Sequence, residues 1–260
     1  MTSGPTDVVT SVREQFGAAA AAYAVSKVHS SGPDLAALVA AAGLTGSERV
    51  LDMGCGAGHT ALAAAPHAAE VVAVDLSPEM LGTASRLANE RGVRNVTFRE
   101  ADVTALPFAD ATFDVVTSRY SAHHYADPGQ AVAEAARVLR PGGRLLLADT
   151  MAPEDPALDT FYNAVELLRD RSHVRNWRRS EWTAMMRSAG FTVALVHEMP
   201  IELDGDDWVR RIGTSPERTA AIKTVFRDAS PAARVAFALK LDGAWGWSIP
   251  MSVLRGRLGG

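Results

Sequence analysis

Cysteine is nearly absent from this chain, Cys55 being the only one. That excludes any internal disulfide and fits a reducing, cytoplasmic compartment. No apolar run approaches the ~18 residues that a membrane-spanning helix requires. The opening MTSGPTDVVTSVREQF has neither the basic nor the apolar region of a secretory signal. Positive charge is not in excess either: 26 Lys and Arg stand against 30 Asp and Glu, a net of −4. That balance speaks against DNA or RNA as the main partner. The histidines show no paired metal-ligand spacing and no cysteine joins them, so no metal site is expected. Internal repeats and long linkers are missing too. What remains is 260 residues, 47% of them hydrophobic, enough for one domain carrying a lid or cap. The expected partner is a small molecule rather than a membrane or a nucleic acid, with a homodimer left open.

Strand and helix signals alternate from about residue 49 to 149. RVLDM (49–53), EVVAVD (70–75), NVTFRE (95–100), FDVVTS (113–118) and GRLLLADT (143–150) are short apolar runs of the kind buried in a parallel sheet. Helical stretches fall between them. The clearest opens at Ser77-Pro78, an N-cap followed by proline at the first helical position, with an apolar stripe through Met80, Leu81, Ala84, Leu87 and Ala88. Repeated strand–helix–strand units imply right-handed crossovers and a doubly wound, Rossmann-like α/β sheet. Two flanks break the rhythm. Residues 1–45 read as a helical lid. The C-terminal half, with all five tryptophans and the arginine-rich RDRSHVRNWRRSEW (169–182), supplies a cap, assigned to residues 151–189 and 197–248. Within it a helix is expected from Ser180 to Gly190, a sixth strand at 191–196, further helices near Asp206, Ser215 and Ser230, and a closing strand at 248–256.

The glycine-rich stretch between the first strand and the next helix, DMGCGAGHT, carries the most chemistry. A nicotinamide-binding turn reads G-x-G-x-x-G, but His59 stands where the third glycine would be, and the glycines fall at Gly54, Gly56 and Gly58. A closing Gly-Lys-Ser/Thr is absent, which excludes a phosphate-binding loop. The spacing suits a ligand that touches backbone over a longer arc and has no pyrophosphate. S-adenosylmethionine is such a ligand: its carboxylate can meet N–H groups near a helix N-terminus. The second strand ends in Asp75, placed to accept from ribose hydroxyls. After the third strand, Asp102 can accept from an adenine amino group while the Val103 N–H donates to a ring nitrogen.

With these motifs assembled, the sequence resembles the class I S-adenosylmethionine-dependent methyltransferases, particularly the branch of ubiquinone- and menaquinone-biosynthesis C-methyltransferases. VLDMGCGAG (50–58), VVAVDLSPEML (71–81), EADVTALPFADATFDVV (100–116) and HHYADPGQAVAEAARVLRPGGRLLL (123–147) carry the likeness. The resemblance implies a seven-stranded, mostly parallel sheet with its last strand antiparallel. It also implies cofactor contacts from Asp52, Gly54, Gly56, Gly58, Asp75, Leu76, Asp102 and Val103. Met80 and Ser118, close to those motifs, and Tyr23 and His29, in the lid, complete the candidate cofactor set.

Ligands of open α/β sheets sit beyond the carboxyl ends of the strands at the topological switch point. The segment after the fourth strand, TSRYSAHHYAD (117–127), therefore faces the reactive methyl. Arg119, Tyr120, His123 and His124 are its catalytic candidates. Histidine suits general-base work near neutral pH, yet the pair can equally position the cofactor or brace the loop. Adjacent residues of an extended loop project differently, so one histidine alone is expected to face the methyl, and His124 is taken as that one. Arg119 either holds a carboxylate or is solvated, and His173 with Arg175 can reach an acidic substrate from the cap. Cys55 reads as a tight spacer rather than a nucleophile. These signals predict methyl transfer to an oxygen or carbon of a small molecule. The alternative is a cyclisation, decarboxylation or elimination promoted by the same cofactor.

Overall fold

The strands form a seven-stranded sheet of order β3-β2-β1-β4-β5-β7-β6, and β3, expected to be buried, is an edge strand with no buried residue. The computed structural model describes residues 5–241 and 243–259. The first four residues of the expected lid lie outside them. Strands β1 (Arg49–Met53), β2 (Glu70–Asp75), β3 (Val96–Glu100), β4 (Phe113–Arg119) and β5 (Leu139–Thr150) are parallel. β7 (Gly246–Leu258) runs antiparallel between β5 and β6 (Phe191–Asp204). The helices are α1 (Pro5–Ala24), α2 (Lys27–Ser30), α3 (Pro33–Ala42), α4 (His59–Ala64), α5 (Pro78–Glu90), α6 (Pro128–Val138), α7 (Pro156–Arg169), α8 (Arg179–Ser188), α9 (Gly205–Ile212), α10 (Pro216–Arg227) and α11 (Pro231–Ala236). No helix among the described residues is long and apolar enough to cross a membrane.

Alternation along the strands sends successive side chains to opposite faces. Val50, Val71, Val115, Leu146 and Ala148 join one core with α3, α4, α7 and α10, while Leu51, Val72, Val116, Leu145 and Leu147 join a second with α6 and α8. This is the three-layer arrangement in which a parallel sheet is covered on both faces. Helix starts are set by side-chain caps followed by proline: Ser77 accepts from Met80 N, Asp127 from Gln130 N, Asp155 from Ala157 and Leu158 N, Ser215 from Arg218 N and Ser230 from Ala233 N.

Two expectations for the C-terminal half need correcting. Residues 197–204 are strand, not cap: β6 continues past the bulge between Leu195 and His197 and pairs with β7 to Asp204. Since β5 ends opposite Met251, the pairing from Pro200 to Asp204 rises beyond the carboxyl edge of the parallel sheet. The alternating Ile201, Leu203, Trp247 and Ile249 give that ribbon a buried face, which holds it in strand form. Second, α8 does not cover the carboxyl edge; Trp182 and Met186 seat it in the core that α6 shares. Trp208, Trp245 and Trp247 pack with Phe226 and Phe237 in the opposite core.

Candidate active site

Strand order reverses between β1 and β4, and the glycine loop leaves β1 at that point. Gly58 begins α4 with φ +82°, and a Cβ there would stand 2.9 Å from the Ala84 Cβ, so only glycine lets α5 pack this close. Gly54 (φ +65°) leaves room for Ser121, whose Cβ would lie 2.7 Å from any side chain at 54. At Gly56, by contrast, a Cβ would meet nothing within 4 Å; the missing side chain leaves open space on a cavity wall.

That cavity is lined by Gly54, Gly56, Asp75, Leu76, Met80, Asp102 and Val103, and from the lid side by Tyr23 and His29. Asp75 is fixed by backbone donors, Gly56 N–H to Oδ2 at 2.7 Å and Ser77 N–H to Oδ1 at 2.9 Å. Burial raises its pKa against the pull of those bonds. Asp102 accepts on Oδ1 from Thr104 N–H and Oγ1–H, and its Oδ2 has no partner among the described residues. His59 Nε2–H donates to the Tyr23 carbonyl at 3.1 Å, and its buried Nδ1 has no partner among the described residues. The wall thus presents unused acceptors, suited to a ligand rich in hydroxyl and amino donors.

Three expected cofactor residues do not line it. Asp52 is buried beneath the loop, taking Thr117 Oγ1–H at 2.7 Å and Ala61 N–H at 3.1 Å, and burial pushes its pKa up to about 7. Ser118 Oγ lies 2.9 Å from the Tyr125 hydroxyl and 3.1 Å from Ser121 Oγ, so it supports two residues that do face the cavity. Gly58 shapes the turn from behind. Cys55 lines the cavity, but burial and the neighbouring Asp75 and Asp52 raise its thiol pKa well above the ordinary value, as befits a spacer.

A second chamber adjoins the first, and the two share five aromatic rings: Phe16, Tyr23, His29, Tyr120 and His124. Its other walls include His123, Glu166, Arg169, Arg211, Ile201, Leu203, Ile249 and Trp208. Of the two histidines, His124 alone also lines the first cavity. Residues 122–124 form a tight 3₁₀ turn rather than an extended loop, and both rings reach this chamber with centroids 4.2 Å apart.

The two histidines differ in electrostatics. His123 Nδ1 lies 2.7 Å from Asp149 Oδ1, and Asp149 Oδ2 takes the N–H groups of Ala122 and His123. Burial alone would lower the His123 pKa, but the Asp149 charge and hydrogen bond outweigh it and raise it. Nδ1 is therefore the donor, and Nε2 has no partner among the described residues. His124 Nδ1–H instead donates to the Ser172 carbonyl at 3.0 Å, and burial together with the His123 charge pushes its pKa down to about 4.

The remaining candidates are engaged by neighbouring residues. Arg119 lines the first cavity yet is held by Asp34 (Nε–Oδ2 2.6 Å) and donates to the His29 carbonyl, so it is neither solvated nor a free carboxylate clamp. Tyr120 has φ +53°, and burial next to Asp34 raises its hydroxyl pKa far above the usual range. His173 donates to Asn163 Oδ1 and is neutral, burial pushing its pKa down to about 2. Arg175 is paired with Asp159 at 2.8 Å. Neither reaches either chamber. Phe16, His59, Ser121 and Tyr125 were not anticipated, although the spacing Val9, Val12, Phe16, Tyr23 marks one face of α1 over the site.

A methyltransferase-domain family model matches residues 51–147. Over 227 residues the chain is 43% identical to the "uncharacterized methyltransferase YcgJ" of Bacillus subtilis, covering 87% of this chain and 90% of that protein. The crystal structure of YcgJ aligns with a TM-score of 0.85 at 40% identity, over 87% of this chain and 98% of that one. A shorter match, 43% identical over 117 residues, covers 44% of this chain and 53% of the demethylmenaquinone methyltransferase of Thermus thermophilus. Sheet order, glycine loop and acceptor-lined cavity define an S-adenosylmethionine-dependent methyltransferase. The chain belongs to the class I family of these enzymes, related to the quinone branch, and S-adenosylmethionine is its methyl donor.

Proposed function

We propose that this enzyme methylates a small organic molecule on oxygen or carbon, and that His123 takes the proton the acceptor gives up. The observation that carries the reading is the second chamber, with His123 Nε2 free and Nδ1 fixed on buried Asp149. S-adenosylmethionine supplies a methyl on a positively charged sulfur, which keeps the bonding electrons as the acceptor's electron pair forms the new bond. The chain's residues position and protect. Asp75 and Asp102 suit the ribose hydroxyls and the adenine amino group, and the shared rings exclude water between donor and acceptor.

Incubating the purified protein with methyl-labelled donor and a metabolite extract should give a labelled small molecule one methylene heavier by mass spectrometry. Label appearing only in protein or nucleic acid would sink the reading.

For the donor site, Asp75→Ala should weaken S-adenosylhomocysteine binding by about 1.5–3 kcal/mol, the scale of hydrogen bonds to a charged group. Calorimetry on the folded variant checks this; unchanged affinity removes Asp75 from the contact.

A further inference from the structure

The second chamber contains a charge that the protein leaves unanswered. Arg169 is engaged: its Nε–H donates to the Trp208 carbonyl at 3.2 Å, its guanidinium lies 3.6 Å from Glu166 and stacks over the Trp208 ring at 5.1 Å. Arg211, one helix away on α9, lines the same chamber and is half-buried, yet its guanidinium makes no hydrogen bond or ion pair among the described residues. Asp207, on the same helix, acts on Arg211 through its charge but is paired with Arg210. Burial, then the like charge of Arg169, lowers the Arg211 pKa, the direction expected of a cation lacking a counter-ion. An unpaired guanidinium removed from water is costly, and a planar anion is the group that satisfies its donor fork.

Resting on the reading of this chamber as the acceptor site, we propose that the acceptor is an organic carboxylate. Its anionic group docks on Arg211 beside Arg169, its apolar body lies against Ile201 and Ile249, and its reacting oxygen or carbon faces His123. A monoanion fits better than a phosphate dianion. One guanidinium is unanswered, and Glu166 occupies the same wall, so a second negative charge would find no partner.

The test uses the full chain loaded with S-adenosylhomocysteine and calorimetric titration with defined probes: 4-hydroxybenzoate and cyclohexanecarboxylate, each against its neutral amide, and phenyl phosphate. The acids should bind about tenfold more tightly than the amides. Arg211→Met should reduce that preference to about threefold or less, and Arg211→Lys should restore part of it. S-adenosylhomocysteine affinity, measured first, should be the same in all three proteins. Equal binding of acids and amides overturns the carboxylate assignment while leaving the chamber as the acceptor site. Tighter binding of phenyl phosphate overturns it as well, as does an acid preference that survives in Arg211→Met. If no probe binds the loaded protein, both the carboxylate assignment and the acceptor-site reading fail.

Discussion

His123→Asn should lower turnover by about 10²–10⁴-fold, the range for a lost general base. Affinity for S-adenosylhomocysteine should stay within about twofold of wild type. Asparagine is the informative replacement because its side-chain amide can still donate to Asp149 Oδ1, where Nδ1 now sits at 2.7 Å, but it has no Nε2 to accept a proton. The buried carboxylate keeps a partner, so the loss reports chemistry rather than folding. The pH profile supplies the second readout. Because Asp149 raises the His123 pKa above its ordinary 6.5, kcat/KM should fall on the acid side with a midpoint above that value. Asp149→Asn should move the midpoint down. A limb near pH 4 would identify His124 instead, whose pKa is about 4. Full turnover in folded His123→Asn would remove His123 from the chemistry.

The same pair carries a stability signature. The raised His123 pKa contributes stability that is complete below its unfolded value of 6.5 and is lost as pH rises through the folded value. Burial would raise the Asp149 pKa, but the charge and hydrogen bond of His123 hold it below 3.8; its contribution is present above 3.8 and fades as pH falls through the lower folded value. Stability from the pair is therefore greatest between those limits, whereas activity needs His123 deprotonated. The catalytic limb and the stability limb should run in opposite directions above pH 6.5.

Most of the fold is legible in the sequence where pattern is local. The five parallel strands follow from short apolar runs, and helix starts from a cap residue followed by proline. Helix α7 carries that same signal at Asp155-Pro156. The length of β6 is not local: Pro200 and exposed Glu202 look unlike strand, and only pairing with β7 keeps them extended. At the site, residues adjoining the glycine loop and the ends of β2 and β3 are readable because donor recognition is built from backbone turns at fixed spacing. The second chamber is not. Tyr23, His123, Glu166 and Arg211 come from four separate parts of the chain and share no spacing rule. Whether an arginine is solvated, like those the sequence offers in plenty, or enclosed is decided by packing alone.

Asp34→Ala should destabilise the protein by about 3–5 kcal/mol, the range for breaking a buried ion pair from one side. Asp34 and Arg119 have side chains only 5% and 3% exposed, and the guanidinium that bonds Asp34 at 2.6 Å also donates to the His29 carbonyl and stacks over Tyr120 at 4.6 Å. Without Asp34, the Arg119 charge stays buried without the carboxylate that neutralises it. Replacing both, as Asp34→Ala with Arg119→Met, should cost less than Asp34→Ala alone, because no orphaned charge remains. Urea midpoints at unchanged m-value measure this, and the effect should persist in high salt, which screens surface pairs but not this one. The pair also ties the α2–α3 segment to the end of β4, where Tyr120 is held at φ +53°, a conformation that tyrosine adopts only when its surroundings enforce it. His29 and Tyr120 belong to the shared aromatic wall, so in folded Asp34→Ala donor affinity should fall even though Asp34 itself does not line either chamber. A loss below about 1 kcal/mol, with donor affinity intact, would show that the pair is dispensable and that the lid is held by α1 packing on α5 and α9 instead.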